Sequence, residues 1–499
     1  MPVNLFVRLD PLAAWGAAVA GRTWLPQIVL SLIVVALTLA FGRAWCGWLC
    51  PLGTALDLGG GRQVKGSDAS SPWRGVKYFL LLALLVAALL GNLTLMALDP
   101  ITIMIRTFSV AILPGLNWAV TSAEFWLYRF PFLRGALEWV ERTFRGNLLY
   151  TTQPLYPAGV FFAVIFVGIL ALNAVRPRLW CRYLCPLGAL LGIFSKVAFI
   201  KRRVGERCNE CGRCSSECPT GTIDPERGFA SDPAECIMCL ECQGSCARGA
   251  TSFGWEPGLA AWRGYDPSRR KFLAGLGAGL AGVAVLRAEA ASQGESPYLI
   301  RPPGVQEDEF LSRCVRCGEC MKVCPTSGLH PAFGQAGWEG LWTPVLVPRL
   351  GHCDYSCNAC GQVCPTGAIP PLALEEKRQA VIGLAYIDHN RCLPWAYEID
   401  CIVCEEMCPL PEKAIRLEEV ETLNAEGERV MVKVPRVVHR LCIGCGICEN
   451  RCPVSGEAAI RVHRPGLRRG TGQRVRRGGR YYKSSGLRTA RPPRLRTWV

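Results

Sequence analysis

Cysteine is the residue type in this chain whose number and spacing could do chemistry. The string CNECGRCSSECP at residues 208–219 has the C-x2-C-x2-C-x3-C-P spacing of bacterial-type ferredoxins, and residues 236–246 repeat it with Ala247 in place of the proline. In this motif three closely spaced thiolates bind one [4Fe–4S] cluster, and the fourth crosses to a neighbouring cluster. The two motifs therefore predict a two-cluster unit. Its ligand sets are Cys208, Cys211, Cys214 with Cys246, and Cys236, Cys239, Cys242 with Cys218.

Four more cysteine quartets lie between residues 314 and 452. Two keep the full spacing, a third has one additional residue in its first gap, and a fourth has eight residues between its first two cysteines. The same crossing rule predicts four further clusters, so that six clusters use 24 of the 28 cysteines. The ligand sets are Cys314, Cys317, Cys320 with Cys364; Cys353, Cys357, Cys360 with Cys324; Cys392, Cys401, Cys404 with Cys452; and Cys442, Cys445, Cys448 with Cys408.

Structural zinc and disulfide bonds are the alternative uses of these cysteines. Zinc takes two separated pairs of Cys or His ligands, unlike quartets that end in C-x3-C. Disulfide bonds form outside the cytoplasm, but cysteines three residues apart in one turn seldom pair with each other. Five of the six quartets are followed by proline. The spacing therefore favours iron–sulfur clusters over both alternatives.

The four remaining cysteines lie in an internal repeat, RAWCGWLCPLG at residues 43–53 and RLWCRYLCPLG at residues 178–188. Each copy contains C-x3-C-P, the closing half of a ferredoxin motif. One interpretation is a seventh cluster shared by Cys46, Cys50, Cys181 and Cys185. The other is that each pair consists of thiols, redox-active or inert, that cap a helix beside proline. The adjoining residues Arg43, Trp45, Arg178 and Trp180 are expected to be interfacial anchors.

The elements that carry these cysteines include membrane helices. The chain is 50% hydrophobic with a mean hydropathy of +0.20, and apolar stretches cover residues 25–41, 78–98 and 158–175. Basic residues put residues 43–77 and the chain after residue 175 in the cytoplasm, which leaves residues 99–157 outside. A Leu-Asp-Pro tripeptide recurs at residues 9–11 and 98–100, at the outer boundary. The first 329 residues contain no histidine, which excludes a bis-histidine haem there.

An export signal is predicted past the middle of the chain. Residues 268–273, SRRKFL, match the twin-arginine signature, and a glycine-rich apolar run to Leu286 and a small-x-small site at residues 288–290 follow. The alternative is the basic flank of a fourth membrane helix, and both interpretations place the following residues outside. The GxGxxG string at residues 277–282 follows no strand, so it is not predicted to bind a dinucleotide.

These features predict a multi-domain protein of the bacterial inner membrane: an α-helical membrane domain plus small α+β bacterial-type 2[4Fe-4S] ferredoxin domains. The predicted units are the membrane domain at residues 1–200, a cytoplasmic ferredoxin domain at 201–256, a signal or anchor with a linker at 257–300, a periplasmic four-cluster ferredoxin domain at 301–463, and a disordered tail at 464–499. Residues 201–267 are expected in the cytoplasm and 301–499 in the periplasm. The tail holds 12 of the 56 Lys and Arg residues, and nucleic acid is not expected as its partner because it lies outside the membrane.

The motifs as a set resemble a known pair of proteins. Residues 1–250, with the two Cys-Pro repeats and a two-cluster unit, resemble NapH, a membrane quinol dehydrogenase component. Residues 268–463 resemble the NapG and MauM ferredoxins through SRRKFL, RPPG at residues 301–304, CVRCGECMKVCP, CPTGAI and CIGCGICENRCP. The fusion in one chain, Ala247 and the basic tail depart from the pattern. So does the start of the chain, since family members usually carry an additional helix before the segment matching residues 2–11.

The resemblance implies electron transfer from quinol through [4Fe–4S] clusters to a periplasmic acceptor such as a nitrate reductase or a cytochrome. The expected partners are the membrane quinone pool and that periplasmic acceptor, and the quinol site is expected near the Cys-Pro turns or the Leu-Asp-Pro segments. No catalytic residue is assigned. Two alternatives stay open: a non-catalytic assembly or regulatory protein, and electron flow from a cytoplasmic donor without quinone.

Overall fold

The fold comes from a computed structural model that describes residues 4–59, 71–145, 149–150, 153–256, 258, 269–293, 296–423 and 429–464. Ser268 and the tail from residue 465 lie outside the described residues, so what was predicted for them stays a prediction. Helices dominate the chain up to residue 195, and short strands begin at residue 200. This change separates an apolar helical region from the cysteine-rich regions.

The helical region is built from consecutive helices, most of them apolar. They are α1 (Leu5–Leu9), α2 (Pro11–Gly21), α3 (Gln27–Phe41), α4 (Ala44–Trp48), α5 (Pro51–Gly59), α6 (Gly75–Leu89), α7 (Pro100–Thr107), α8 (Leu113–Leu127), α9 (Arg134–Phe144), α10 (Gly159–Val175) and α11 (Pro186–Ser195). Each predicted membrane segment overlaps one apolar helix, since α3, α6 and α10 lie in or across those segments.

The two Leu-Asp-Pro tripeptides begin helices. Asp10 caps α2 by accepting a hydrogen bond from the Leu12 backbone N–H (2.9 Å), and Asp99 caps α7 by accepting one from that of Thr102 (2.8 Å). Proline follows each cap at the start of the helix, where its missing N–H leaves no hydrogen bond unmade. The repeated tripeptide is therefore a repeated helix start.

An additional long apolar helix lies in residues 99–157, where none was predicted. Pro100–Leu127 is continuous over 28 residues through a π-helical turn at Phe108–Ile112. With Arg269–Glu289, it is long and apolar enough to cross a membrane, and these two alone qualify among the described residues. The sequence did not predict this helix because Asn117 and Glu124 interrupt its apolar pattern and Pro114 suggests a break. Pro114 lies in the first turn of α8, however, where proline is tolerated.

Both ends of this stretch contact the second cysteine-rich region. Arg106 donates to the carbonyl oxygen of Arg316 (3.3 Å), and the Tyr150 hydroxyl donates to that of Lys322 (3.2 Å). The chain from α7 to residue 150 therefore leaves that region and returns to it, while the placement of residues 99–157 outside the membrane stays a prediction.

The cysteine-rich regions consist of short helices and two-stranded antiparallel sheets. In the first region β1 (Ile200–Val204) pairs with β4 (Thr251–Trp255) and β2 (Ile223–Asp224) with β3 (Ala230–Ser231), with α12 (Arg213–Ser216) and α13 (Glu241–Gly244) between them. In the second region β5 (Leu329–Pro331) pairs with β6 (Pro344–Leu346), β7 (Leu384–Ile387) with β10 (Ile460–His463), and β8 (Ile415–Leu423) with β9 (Arg429–Val437). Its helices are α15 (Glu307–Arg313), α16 (Glu319–Lys322), α17 (Ala359–Val363), α18 (Leu374–Gln379), α19 (Leu393–Tyr397), α20 (Val403–Glu406) and α21 (Ile447–Arg451). This mixed composition agrees with the α+β ferredoxin class.

The two cysteine-rich regions contact opposite ends of the helical region, and α10 runs between them. Near the first residue of α10, the Phe162 ring packs against the Trp342 ring of the second region, with centroids 5.3 Å apart. Just past its last residue, Pro177 lines a cavity together with Pro219 of the first region. The helical region therefore separates one cysteine-rich region from the other.

The glycine-rich run after the twin-arginine sequence forms a helix, α14 (Arg269–Gln293), which lies along α6. A Cβ atom on Gly275 would lie 2.8 Å from the Leu82 side chain, and one on Gly279 would lie 2.9 Å from that of Val86. The two glycines, four residues apart, let the helix backbones approach closely, as small residues do between membrane helices. The GxGxxG string lies inside this helix.

Candidate iron–sulfur sites

Two cavities in the first cysteine-rich region are lined by the two predicted ligand sets. Cys208, Cys211, Cys214 and Cys246 line one cavity, and Cys218, Cys236, Cys239 and Cys242 line the other. Each cavity takes its fourth cysteine from the other motif. The structure therefore brings the thiols together in the crossed pattern that the spacing predicts.

The second cysteine-rich region brings its thiols together in the same crossed way. One cavity is lined by Cys392, Cys401, Cys404 and Cys452, and another by Cys324, Cys353, Cys357 and Cys360. The other two sets are recognised by electrostatic contact between thiols. In one set, Cys314, Cys317 and Cys320 each interact with Cys364. In the other set, Cys442 and Cys445 interact with Cys408, and Cys448 interacts with Cys442 and Cys445. Both irregular quartets thus contribute their first cysteine, Cys353 or Cys392, to a set.

The environment of these thiols fits iron–sulfur clusters. Burial, to which neighbouring thiols add, raises the pKa of the Cys360 and Cys404 thiols to about 12. A buried thiolate needs a cation to neutralise it, and bound iron does so. The thiols surround cavities, and no three Cys, His, Asp or Glu side chains in the described part of the chain converge as single-ion ligands. In a [4Fe–4S] cluster each of four iron atoms binds one thiolate, so the four thiols surround the cluster and do not converge on one point.

A threonine that the cysteine spacing does not indicate lies two residues after three of the crossing cysteines. In each Cys-Pro-Thr string the threonine hydroxyl lies near the cysteine sulfur, at 3.6 Å for Thr220, 3.5 Å for Thr326 and 3.8 Å for Thr366. Hydrogen bonds to cluster sulfurs are one of the ways in which a protein adjusts cluster potential. The recurrence of the tripeptide was the signal that could have identified them.

The two Cys-Pro turns of the repeat, far apart in sequence, form one buried centre. Cys46, Cys50, Cys181 and Cys185 belong to a single hydrophobic cluster, and each is at most 8% exposed. The Cys50 thiol interacts electrostatically with Cys46 and Cys181, and the Cys185 thiol interacts with all three others. The structure therefore brings together the four cysteines that the six quartets leave over.

Each turn of this central cysteine set is contacted by the arginine of the other repeat. Arg178 donates to the carbonyl oxygen of Cys46 (2.9 Å), and its guanidinium lies 3.6 Å from the place that a Cβ on Gly53 would occupy. Reciprocally, the Arg43 guanidinium lies 2.6 Å from the place of a Cβ on Gly188. Gly188 thus leaves room for Arg43, whereas a Cβ on Gly53 would be crowded by the Cys46 carbonyl oxygen, at 2.9 Å, rather than by Arg178. These contacts hold the two repeats together.

The expectation that the residues flanking the turns are interfacial anchors is wrong. Arg43 and Arg178 are 1% and 2% exposed, and Trp45 and Trp180 are 5% and 8% exposed. An interfacial anchor would present its side chain to lipid headgroups, whereas these side chains pack inside the protein. The periodicity of the sequence could not reveal this, because the residues that bury them come from the other repeat and from the first cysteine-rich region.

A buried group of charges joins the central set to the first cysteine-rich region. Glu235 directly precedes Cys236, and its carboxylate forms ion pairs with Arg43 (3.4 Å), Arg74 (3.3 Å) and Lys77. Three cations surround one carboxylate, so the group carries a net positive charge. Such a charge favours negatively charged groups nearby, as iron–sulfur clusters with four thiolates are.

Cavities lined by four cysteines on small α+β units define an iron–sulfur protein of the ferredoxin type. In agreement, the family model of a 4Fe-4S binding domain matches residues 23–66 and 158–205, which contain the two Cys-Pro turns. A second 4Fe-4S binding domain model matches residues 310–329. The prediction that this chain binds [4Fe–4S] clusters is confirmed, while the number of clusters stays a prediction.

Sequence similarity to known proteins shows to which family of ferredoxin-type proteins this chain belongs. The methylamine utilization ferredoxin-type protein MauM of Methylorubrum extorquens is 40% identical over 209 residues, which cover 40% of this chain and 89% of the relative. MauM of Paracoccus denitrificans is 41% identical over 167 residues (33% of this chain, 70% of the relative), and the ferredoxin-type protein NapG of Escherichia coli is 36% identical over 202 residues (39% and 84%). The chain therefore belongs to the MauM/NapG family of ferredoxin-type proteins, as its motifs indicated. No solved structure matches it.

Proposed function

We propose that the protein is a membrane-bound iron–sulfur electron carrier that oxidises quinol and passes electrons to a periplasmic acceptor, such as a nitrate reductase or a cytochrome. The observation that carries the proposal is the position of the central cysteine set. The hydrophobic core around it extends from Ile237 in the first cysteine-rich region to Cys317 in the second. Redox sites at both ends of a helical region, with a third between them, suit electron transfer across a membrane.

The chain's own residues bind and shield the redox groups. The six crossed quartets would hold six [4Fe–4S] clusters, and Cys46, Cys50, Cys181 and Cys185 would hold a seventh. When bound, each cluster takes up and releases single electrons, which suits the stepwise oxidation of a two-electron donor. Arg43 and Arg178 place positive charge beside the central thiolates, and the surrounding apolar side chains exclude water from them.

We infer that residues 201–256 face the cytoplasm and residues 301–464 the periplasm of a bacterial inner membrane. The contacts of the two regions with opposite ends of the helical region support this arrangement. The packing of α14 on α6 supports the retention of residues 269–293 as a membrane anchor. Mass spectrometry of the mature protein from membranes tests the anchor, since a single chain supports it and two chains would contradict it.

Quinol oxidation is tested on the purified full chain reconstituted in lipid. We expect menaquinol or ubiquinol analogues to bleach the visible absorption of the clusters, and dithionite sets the level for full reduction. Bleaching by dithionite, together with no bleaching by either quinol, would remove the proposal.

A further inference from the structure

A cavity of about 800 Å³ lies between the first cysteine-rich region and the cytoplasmic ends of the helices. The helix ends contribute Leu56, Asp57, Asn173 and Arg178, and the cysteine-rich region contributes the opposite wall. A volume of this size falls in the range of small-molecule sites, about 300–1,000 Å³. The cavity is therefore large enough for an organic ligand.

Two predicted electron acceptors lie near this cavity. Cys239 lines it and belongs to the set of Cys218, Cys236 and Cys242. Arg178 also lines it, and the same guanidinium donates to the carbonyl oxygen of Cys46 in the central set (2.9 Å). A ligand in the cavity would thus lie next to one cysteine set and be separated from the central set by Arg178.

The polar groups of the wall suit a ligand with hydroxyl groups. Asp57 lines the cavity with its side chain 51% exposed, while Arg178 donates to the same carboxylate and holds it in place. This carboxylate can accept a proton from a ligand hydroxyl group.

Apolar residues beside the cavity are exposed on the helical region. Leu58, next to Asp57, is 86% exposed, and Val175, near Pro177, is 66% exposed. At the end of a membrane helix such residues face lipid, so a ligand with a hydrocarbon tail could leave its tail there. A polar head with an apolar tail is the chemistry of a quinol.

The position at which one quartet departs from the ferredoxin pattern also lines this cavity. Ala247 stands where the other five crossing cysteines are followed by proline. Alanine has a smaller side chain than proline, so it leaves more space in the wall.

We propose that this cavity binds the quinol headgroup, an inference that rests on the proposed function. Quinol loses two protons and two electrons as its two O–H bonds break and quinone forms. The Asp57 carboxylate accepts one proton and cavity water the other. The two electrons would leave one at a time to oxidised [4Fe–4S] clusters, which the set of Cys218, Cys236, Cys239 and Cys242 and the central cysteine set would hold.

The test compares reduction of the full chain in lipid by decylubiquinol and by a menaquinol analogue of equal tail length. Ala247→Trp places an indole ring in the cavity wall and should raise the KM for the effective quinol at least about tenfold, because it obstructs ground-state binding. Ala230→Trp is the matched control, since Ala230 is an exposed alanine in the same cysteine-rich region outside the cavity wall, and its KM should change less than about twofold. Dithionite reduction should be equal in all proteins.

A second variant separates proton transfer from binding. Asp57→Asn keeps an oxygen that accepts from Arg178 but removes the proton acceptor, so the rate at saturating quinol should fall about tenfold or more with KM little changed. If wild type is not reduced by quinol, the proposed function itself fails. If wild type is reduced while Ala247→Trp keeps its KM, or while Asp57→Asn keeps its rate, the cavity assignment is overturned and the function survives.

Discussion

The carboxyl groups of Asp10 and Asp99 adjoin each other, and both residues are 0% exposed. Each uses one oxygen to cap its helix, and the remaining oxygens, Oδ2 of Asp10 and Oδ1 of Asp99, find no N–H or O–H donor among the described residues. Because two adjoining buried carboxyl groups are hard to ionise together, we expect them to share one proton. The two Leu-Asp-Pro tripeptides thus bring two carboxyl groups together.

This pair predicts different effects for two substitutions of Asp10. Asp10→Asn should cost less than about 1 kcal/mol, because its amide oxygen still caps α2 and its NH2 can donate to Asp99. Asp10→Ala should cost about 2–4 kcal/mol, because it removes the cap and leaves the Asp99 carboxyl without its partner. Thermal unfolding in detergent measures both. Equal destabilisation by Asn and Ala would contradict the shared proton.

The central cysteine set predicts iron bound by residues of both repeats. The double variant Cys46→Ser with Cys181→Ser should lose about four iron atoms per chain relative to wild type, the content of one cluster. Iron and sulfide analysis of the full chain measures the loss. An unchanged iron content in a folded variant would show that these thiols hold no cluster.

The Cys-Pro-Thr strings predict that a threonine hydroxyl adjusts the potential of the neighbouring redox site. Thr220→Val removes the hydroxyl near the Cys218 sulfur, whereas Thr220→Ser keeps one. A hydrogen bond worth about 1 kcal/mol corresponds to about 40 mV for one electron, so the valine variant should be lower in potential by roughly that amount. Redox titration followed by electron paramagnetic resonance measures it, and a similar shift in the serine variant would argue against the hydroxyl.

The contact between α14 and α6 predicts that replacing a glycine of α14 lowers the stability of the protein only where that glycine faces α6. Gly279→Leu should separate the helices, because a side chain there meets Val86, whereas Gly282→Leu should be tolerated since nothing lies within 4 Å of its Cβ position. We expect a lower unfolding temperature for the first variant and little change for the second. Equal behaviour of the two would indicate that α14 does not pack on α6.

We expect the buried side chain of His330 to make the folded protein less stable in acid. His330 is 5% exposed against the Tyr156 ring, and burial lowers its pKa from 6.5 to about 4. Between these values the unfolded chain binds the proton and the folded chain does not, so stability falls as pH drops from about 6.5 to 4. At about 1.4 kcal/mol per pKa unit the effect amounts to a few kcal/mol. His330→Phe should flatten unfolding temperature against pH between 5 and 7, and an unchanged slope would exclude His330 as the cause.

Motif spacing alone was enough to predict the class of cofactor, the family and which thiols lie together in the structure. These are local or near-local properties, because a [4Fe–4S] loop draws three ligands from one short turn and its fourth from a neighbouring motif. The repeat of Arg43 and Arg178 was also visible in the sequence. Apolar run length located α3, α6 and α10, but the polar interruptions hid the apolar helix Pro100–Leu127.

Tertiary structure alone decided which of these repeated residues meet. The contacts of Arg178 with Cys46, of Arg43 with the Gly188 position and of Asp10 with Asp99 join residues 89 to 145 positions apart, and no periodicity reports such distances. The cavity beside Asp57 likewise exists only because the first cysteine-rich region folds back against the helix ends. Local spacing determines what a segment can bind, whereas burial, charge compensation and access depend on packing between segments that the sequence keeps apart.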